Sequence, residues 1–210
     1  MHLQGHPNEA YDDIKKALAA APAAALAGRE LVKLKALSDG MKKGMPPSAV
    51  LKAATAQLAS KDPDTADEAK FVVESITAWG KKQIKSAQAA KDTKPLQCYT
   101  TLQNVIKDFA GTDLEERASQ ALAELKFDQA FMSEVRAWQA LDKIKACEKE
   151  LKPIRGGIDG PDMTSDKFRK KNAVALNNMI AGIRMMKKTF PDSDATKEAI
   201  AIADKYEIMR

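Results

Sequence analysis

The sequence DFAGTDLEERASQAL, residues 108–122, closely resembles TFPDSDATKEAIAIA, residues 189–203, which follows it at an offset of 81 residues. This offset aligns Phe109 with Phe190 and pairs an alanine with an alanine nine residues later. In both copies the pattern predicts an apolar helix that ends at the phenylalanine, a hydroxyl residue that caps the next helix, and an alanine on the inner face of that helix. An aromatic ring at a helix end packs over the next helix only where that helix offers a small side chain, and alanine does so without loss of helix propensity. The duplicated sequence therefore predicts units of an antiparallel array of helical hairpins.

The rest of the chain favours the same fold class. Apolar residues recur three and four positions apart, in segments separated by short breaks rich in Pro, Gly, Asp, Ser and Thr, and no run alternates with the period of two that strands require. We predict an all-α protein of about nine helices, resembling tetratricopeptide repeats in architecture. The predicted helices span residues 8–20, 23–41, 48–59, 63–90, 95–109, a segment starting at 112, and residues 128–151, 166–189 and 194–207. Gly80 is predicted to weaken the long fourth helix, because glycine has a low helix propensity.

Helix starts are marked by capping residues. Asp62, followed by proline, supplies an oxygen acceptor at the N-cap, and the proline needs no N–H partner in the first turn. Thr112 and Glu115 form a predicted capping box, in which each side chain accepts a hydrogen bond from a free backbone N–H. On the helix that follows, Ala118 is the predicted small partner of Phe109.

Composition divides the chain into four segments. Residues 1–7 are predicted to be a disordered N-terminal segment, and residues 8–151 form the helical array. Residues 152–164 form a linker, because KPIRGGIDGPDMTS carries three glycines, two prolines and no helical period. Residues 165–210 form a C-terminal helical hairpin that packs on or beside the array.

The duplicated sequence resembles the joins between tetratricopeptide-like repeats, where one helix ends in Phe-Pro and the next opens with a capped turn and an alanine. The longer sequence CYTTLQNVIKDFAGTDLEERASQALAELKFDQAFMSEVRAWQAL, residues 98–141, resembles the helical tails attached to thioredoxin-like domains in extracytoplasmic proteins of planctomycete bacteria. The resemblance implies a tetratricopeptide-like fold and an extracytoplasmic or periplasmic location. The Trp, Leu, Gly, Tyr set of a standard repeat and the thioredoxin-like half with its cysteine pair are missing. No catalytic residue is therefore carried over.

Charge gives one candidate binding surface. The net charge is +5, but basic and acidic residues are interspersed along nearly every segment, whereas nucleic-acid binders usually gather basic residues on one face. The densest basic run is KFRKKN, and further basic residues follow on the same predicted helix. Together they form a possible patch for an anionic partner, made of Lys167, Arg169, Lys170, Lys171, Arg184, Lys187 and Lys188.

The two cysteines, Cys98 and Cys147, are predicted to be separate, half-buried thiols. In an up-and-down array the fifth and seventh helices run in the same direction. Cys98 lies near the start of the fifth helix, and Cys147 lies near the end of the seventh. Their axial separation is then on the order of 20 Å, far beyond the roughly 7 Å Cα distance that a disulfide spans.

No metal site or cofactor is predicted. Three groups of residues have side chains that can bind metal ions, but at unsuitable positions or spacings. They are two histidines at the N-terminus, three methionines on one helix and three aspartates around the linker. These residues are His2, His6, Met179, Met185, Met186, Asp159, Asp162 and Asp166. Terminal histidines are commonly solvated, methionines commonly fill helical cores, and the aspartates do not match a calcium-loop spacing.

The chain is predicted to be soluble and non-catalytic. No apolar run approaches the roughly 18 residues that span a bilayer, and the opening MHLQGHPNEA has neither the basic head nor the apolar core of a signal peptide. No nucleophile, phosphate-binding or zinc-protease motif occurs, and no histidine lies within the predicted helices as a general base.

These observations favour a scaffold or protein-interaction module with an unidentified protein partner, because stacked hairpins expose a broad face. The surface around Trp138 is one candidate for this binding face. The alternative is that Trp138 is simply a core residue. Two other functions stay open: an accessory tail of an envelope thioredoxin-like redox protein, and a basic module that docks on nucleic acid or an anionic membrane.

Overall fold

A computed structural model of the chain describes residue 26, residues 29–154 and residues 163–209. Within these residues the all-α prediction is confirmed, since they form nine helices and no strand. The helices are α1 Lys35–Lys42, α2 Pro47–Thr55, α3 Pro63–Ala89, α4 Pro95–Asp108, α5 Asp113–Phe127, α6 Gln129–Lys149, α7 Asp166–Lys171, α8 Ala173–Thr189 and α9 Asp194–Lys205. The predicted disordered segment 1–7, the predicted helix 8–20 and the middle of the predicted linker lie outside the described residues.

Two helix starts follow the predicted capping chemistry. The carboxylate of Asp62 accepts a hydrogen bond from the N–H of Asp64 at 3.3 Å, and proline is the first residue of α3. The hydroxyl of Ser193 accepts from the N–H of Ala195 at 3.2 Å at the start of α9. Both contacts satisfy N–H groups that have no partner inside the helix.

The predicted capping box at α5 is wrong in its partners. The hydroxyl of Thr112 donates to the carbonyl oxygen of Phe109 at 2.7 Å, so it closes the preceding turn. The carboxylate of Glu115 accepts from the N–H of Gly111 at 2.6 Å, one residue earlier than a capping box requires. The acidic side chain still satisfies a free donor at the turn, and its charge lies near the positive end of the helix dipole.

The predicted second helix, 23–41, is wrong over residues 29–34, because α1 begins only at Lys35. The N–H groups of Val32 and Leu34 each donate at 2.8 Å to the carboxylate of Glu68, which belongs to α3. These amides therefore bond to a side chain of α3, and residues 32–34 form a bend and a turn instead of a helix.

The predicted helix 166–189 is interrupted at Asn172, which separates α7 from α8. Its side-chain oxygen accepts from the N–H of Lys152 at 2.8 Å, and its amide group donates to the carbonyls of Lys152 at 3.0 Å and Phe168 at 3.1 Å. Asparagine readily bonds to backbone groups in this way, which is why it interrupts helices.

The described residues fall into two compact units. The first comprises the residues up to Ala90 together with Thr100–Ala123, and the second comprises Lys91–Tyr99 and the residues from Glu124 onward. In the first unit α2 packs against α1 and α3. In the second unit α6, α8 and α9 pack against one another, and α7 packs against α8. The predicted linker at 152–164 therefore does not coincide with a boundary between these units.

In the first unit Phe109 is fully buried, and its small partner is a glycine. Its ring centroid lies 5.6 Å from that of Trp79. A methyl group on the neighbouring Gly80 would lie 2.8 Å from Cζ of Phe109 and 2.6 Å from Cδ1 of Leu114. Gly80 therefore does more than weaken α3, because its missing side chain makes room for two core residues. Ala118, the predicted partner, is also fully buried.

We expect Gly80→Ala to lower the free energy of unfolding by about 1–2 kcal/mol, because overpacking costs about 1–3 kcal/mol and alanine recovers up to about 1 kcal/mol of helix propensity. Urea denaturation measures the change. Gly182→Ala in α8 is the matched control, since its methyl group would meet only Ile144, at 3.0 Å. A Gly80→Ala protein as stable as the parent would contradict the close packing of Phe109 and Leu114.

The second unit has a core built from α6, α7, α8 and α9. Phe168 is fully buried, and its ring stacks on that of Tyr206 with centroids 6.2 Å apart. Trp138 and Phe190 are only partly buried against this core. Phe190 thus differs from Phe109 in burial although the two align in sequence.

Candidate functional site

The predicted anionic-partner patch does not form one continuous surface. All seven of its residues are exposed, on α7 and α8. The guanidinium of Arg169 already bonds to the protein's own backbone. Its Nε donates to the carbonyl of Thr164 at 3.0 Å, and its terminal nitrogen donates to the carbonyl of Glu207 at 3.3 Å. Lys187 and Lys188 lie in the last turn of α8, about 20 Å along the helix from its first residues. The patch therefore separates into a group around α7 and a group at the far end of α8.

A groove adjoins the first of these groups. It is formed by residues 149–153, at the end of α6 and just beyond it, and by residues 170–175, at the junction of α7 and α8. Its volume is about 710 Å³. We call it the lysine groove.

Asn172 holds the two sides of the lysine groove together. The side chain is buried, and it pairs with both the N–H and the carbonyl of Lys152 while also bonding to α7. Nζ of Lys171 donates to the carbonyl of Pro153 at 3.3 Å and adds a second link. The shape of the groove is therefore set by two side chains that lie 20 and 18 residues away from the backbone groups they bind.

The lysine groove is strongly basic. Its described lining residues include four lysines, Lys149, Lys152, Lys170 and Lys171, against one acidic residue, Glu150. The side chain of Asn172 does not cap α8, so the partial positive charge at the start of this helix adds to the lysines. Like charges around a concave surface reinforce one another and attract counter-ions.

The same groove presents apolar surface. Val174 is 77% exposed, and Leu151 on the opposite side is half-buried. Pro153 and Ala173 are exposed and also line the groove. The groove therefore offers positive charge and apolar contacts within one surface.

Other candidate chemistry has no comparable site. Cys98 and Cys147 are free thiols, the first buried and the second half-buried, and burial raises the pKa of the Cys98 thiol. Cys98 therefore stays protonated near neutral pH and is a poor nucleophile. In the part of the chain that the structure describes, no three His, Cys, Asp or Glu residues are grouped to hold a metal ion, and no helix is long and apolar enough to cross a membrane.

The residues considered for metal binding are scattered. Met179 and Met186 are buried in the core of the second unit, Met185 is 44% exposed, and Asp166 lies in the first turn of α7. The two histidines and the two aspartates inside the linker lie outside the described residues.

Comparisons with protein-family models, with curated proteins and with solved structures found no match. Sequence analysis placed Lys170 and Lys171 in a candidate patch but missed Lys149, which lies at the end of α6 where this helix packs on α8, and Lys152, whose backbone pairs with Asn172. The one local signal was an asparagine directly after two lysines inside a predicted helix.

Proposed function

We propose that this chain is a non-catalytic helical binding module that docks an anionic partner in the lysine groove. The observation that carries the proposal is the concentration of four lysines in one concave surface, in a chain whose charges are otherwise interspersed. Complementary charge of this kind accelerates encounter and selects the partner. The alternative of an accessory tail on a thioredoxin-like redox protein rests on the resemblance alone.

The proposal includes an array of antiparallel hairpins like that of tetratricopeptide repeats. Its support is the sequence duplication and the fact that a threonine hydroxyl bonds to the phenylalanine carbonyl in each copy, although from positions that do not align. The hydroxyl of Thr112 donates to the carbonyl of Phe109, and that of Thr196 donates to the carbonyl of Phe190, each at 2.7 Å. The two threonines stand three and six residues after their phenylalanines, so the turn is closed similarly by different positions.

Heparin chromatography tests the docking surface. We expect the double variant K152E/K170E to elute at a clearly lower salt concentration than the parent protein, because it inverts two charges of the groove. The matched control is K187E/K188E, which changes the net charge by the same amount at the far end of α8. Equal shifts for the two variants would mean that heparin senses only net charge, and the proposed docking surface would then be wrong.

A further inference from the structure

The lysine groove alternates charge with apolar surface. Lys170 and Lys171 directly precede the buried Asn172, and exposed Val174 follows two residues later. Across the groove, half-buried Leu151 directly precedes Lys152. A ligand that uses all of this surface must carry negative charges separated by apolar groups.

Single-stranded nucleic acid fits this surface poorly. Proteins that bind single strands stack bases on aromatic side chains, and none of the described residues lining the groove is aromatic. Glu150 also lies in the groove, where it repels a continuous line of phosphates. An anionic bilayer fits poorly too, because a broad lipid surface does not enter a concave groove.

A peptide fits the surface better. Aspartate and glutamate side chains pair with lysine ammonium groups, and an intervening leucine or valine side chain contacts Val174 and Leu151. The uncapped first turn of α8 offers backbone N–H groups for a carboxylate. A peptide also has its own N–H groups to donate to Glu150.

We infer that the occupant of the lysine groove is an acidic peptide segment of a partner protein, with an apolar side chain between its carboxylates. This inference rests on the proposed function and narrows it to one class of ligand. The lysine charges attract the acidic peptide and hold it in the groove. Contact of its apolar side chain with Val174 distinguishes the peptide from other polyanions.

Fluorescence anisotropy with four labelled probes tests this inference on the full chain. The probes are a short peptide in which glutamates flank leucines, the same peptide with serines in place of leucines, an oligothymidine of equal charge, and heparin fragments. Phosphatidylserine vesicles are tested by flotation. We expect the leucine peptide to bind about tenfold more tightly than the serine peptide, the ratio that corresponds to about 1.4 kcal/mol.

Val174→Ser provides the decisive variant, because this side chain is 77% exposed and contributes little to the core. We expect it to weaken binding of the leucine peptide severalfold and to leave heparin binding unchanged. Met185→Ser, at an exposed methionine farther along α8, is the matched control and should change neither. K152E/K170E should weaken binding of both peptides.

The outcomes separate the two proposals. Equal affinity for the leucine and serine peptides, tighter binding of oligothymidine or vesicles, or no effect of Val174→Ser would overturn the peptide inference. The proposed function would survive these results if K152E/K170E still weakened heparin binding more than K187E/K188E did. If no probe depended on the groove lysines, both proposals would be wrong.

Discussion

Replacing Phe109 with alanine should lower the free energy of unfolding by about 3–5 kcal/mol, the usual cost of removing a fully buried phenylalanine. The side chain has no exposed surface, and it packs against the ring of Trp79 and against Gly80, where a methyl group would have no room. Alanine would leave a cavity that rigid helical neighbours fill only in part. Urea denaturation followed by far-UV circular dichroism measures the loss.

Two other phenylalanines serve as controls. Phe190, the sequence equivalent of Phe109, is only partly buried, so its replacement by alanine should cost clearly less. Phe127, at the end of α5, is 86% exposed, and its replacement should change stability by less than about 0.5 kcal/mol. A negligible loss for Phe109→Ala would contradict the packing of the first unit, and equal losses at Phe109 and Phe190 would contradict their different burial.

Glu68→Gln should cost about 2–3 kcal/mol. Oε1 of Glu68 accepts from the N–H of Val32 and Oε2 accepts from the N–H of Leu34, both at 2.8 Å. Glutamine keeps the shape but replaces one acceptor with an NH2 group that faces a donor. A hydrogen bond to a charged group contributes about 1.5–3 kcal/mol, and a donor left without a partner adds a further cost.

The effect of Glu68 should depend on pH. Burial acts to raise the pKa of the Glu68 carboxyl, but the backbone N–H groups of residues 32–34 and the Arg29 guanidinium together lower it below the ordinary value. A lowered pKa in the folded state means that the carboxylate stabilises the fold above the ordinary glutamate pKa of about 4.3, and that this contribution is lost as pH falls toward the folded pKa. The stability difference between the parent and Glu68→Gln should therefore be constant above about pH 5.5 and shrink in acid.

Hydrogen exchange and a matched variant make this test local. Glu68→Gln should speed exchange of the Val32 and Leu34 amides more than that of amides within α3. Glu74→Gln, on the exposed face of the same helix, removes the same charge and should alter neither stability nor exchange appreciably. Unchanged protection of both amides in Glu68→Gln would show that the carboxylate does not hold this segment.

The helical class and several helix starts could be predicted because their causes are local. Asp62 bonds to an amide two residues later, and Ser193 does the same, so both contacts are determined within one turn of chain. Apolar spacing likewise placed α3 and α9 close to their observed limits. At Glu115 the local pattern predicted the right turn but the wrong donor, because the N–H of Thr112 bonds to the carbonyl of Phe109 and Glu115 accepts from Gly111 instead.

The failures have causes that are distant in sequence. The helix predicted over residues 29–34 is displaced by Glu68, which bonds to amides 34 and 36 residues before it. The break at Asn172 depends on Lys152, twenty residues earlier. The free energy that helix propensity contributes is small compared with that of two or three hydrogen bonds. Such hydrogen bonds therefore override the local preference for helix.

The sequence by itself determined an all-helical protein, its main helix starts, and an excess of basic residues around α7. Only the tertiary structure decided that Gly80 makes room for Phe109, and that Lys149 and Lys152 join Lys170 and Lys171 in one groove. The physical reason is that periodicity and capping act within one or two turns of a helix. The lysine groove depends on the pairing of Asn172 with a backbone segment that no local rule brings near it.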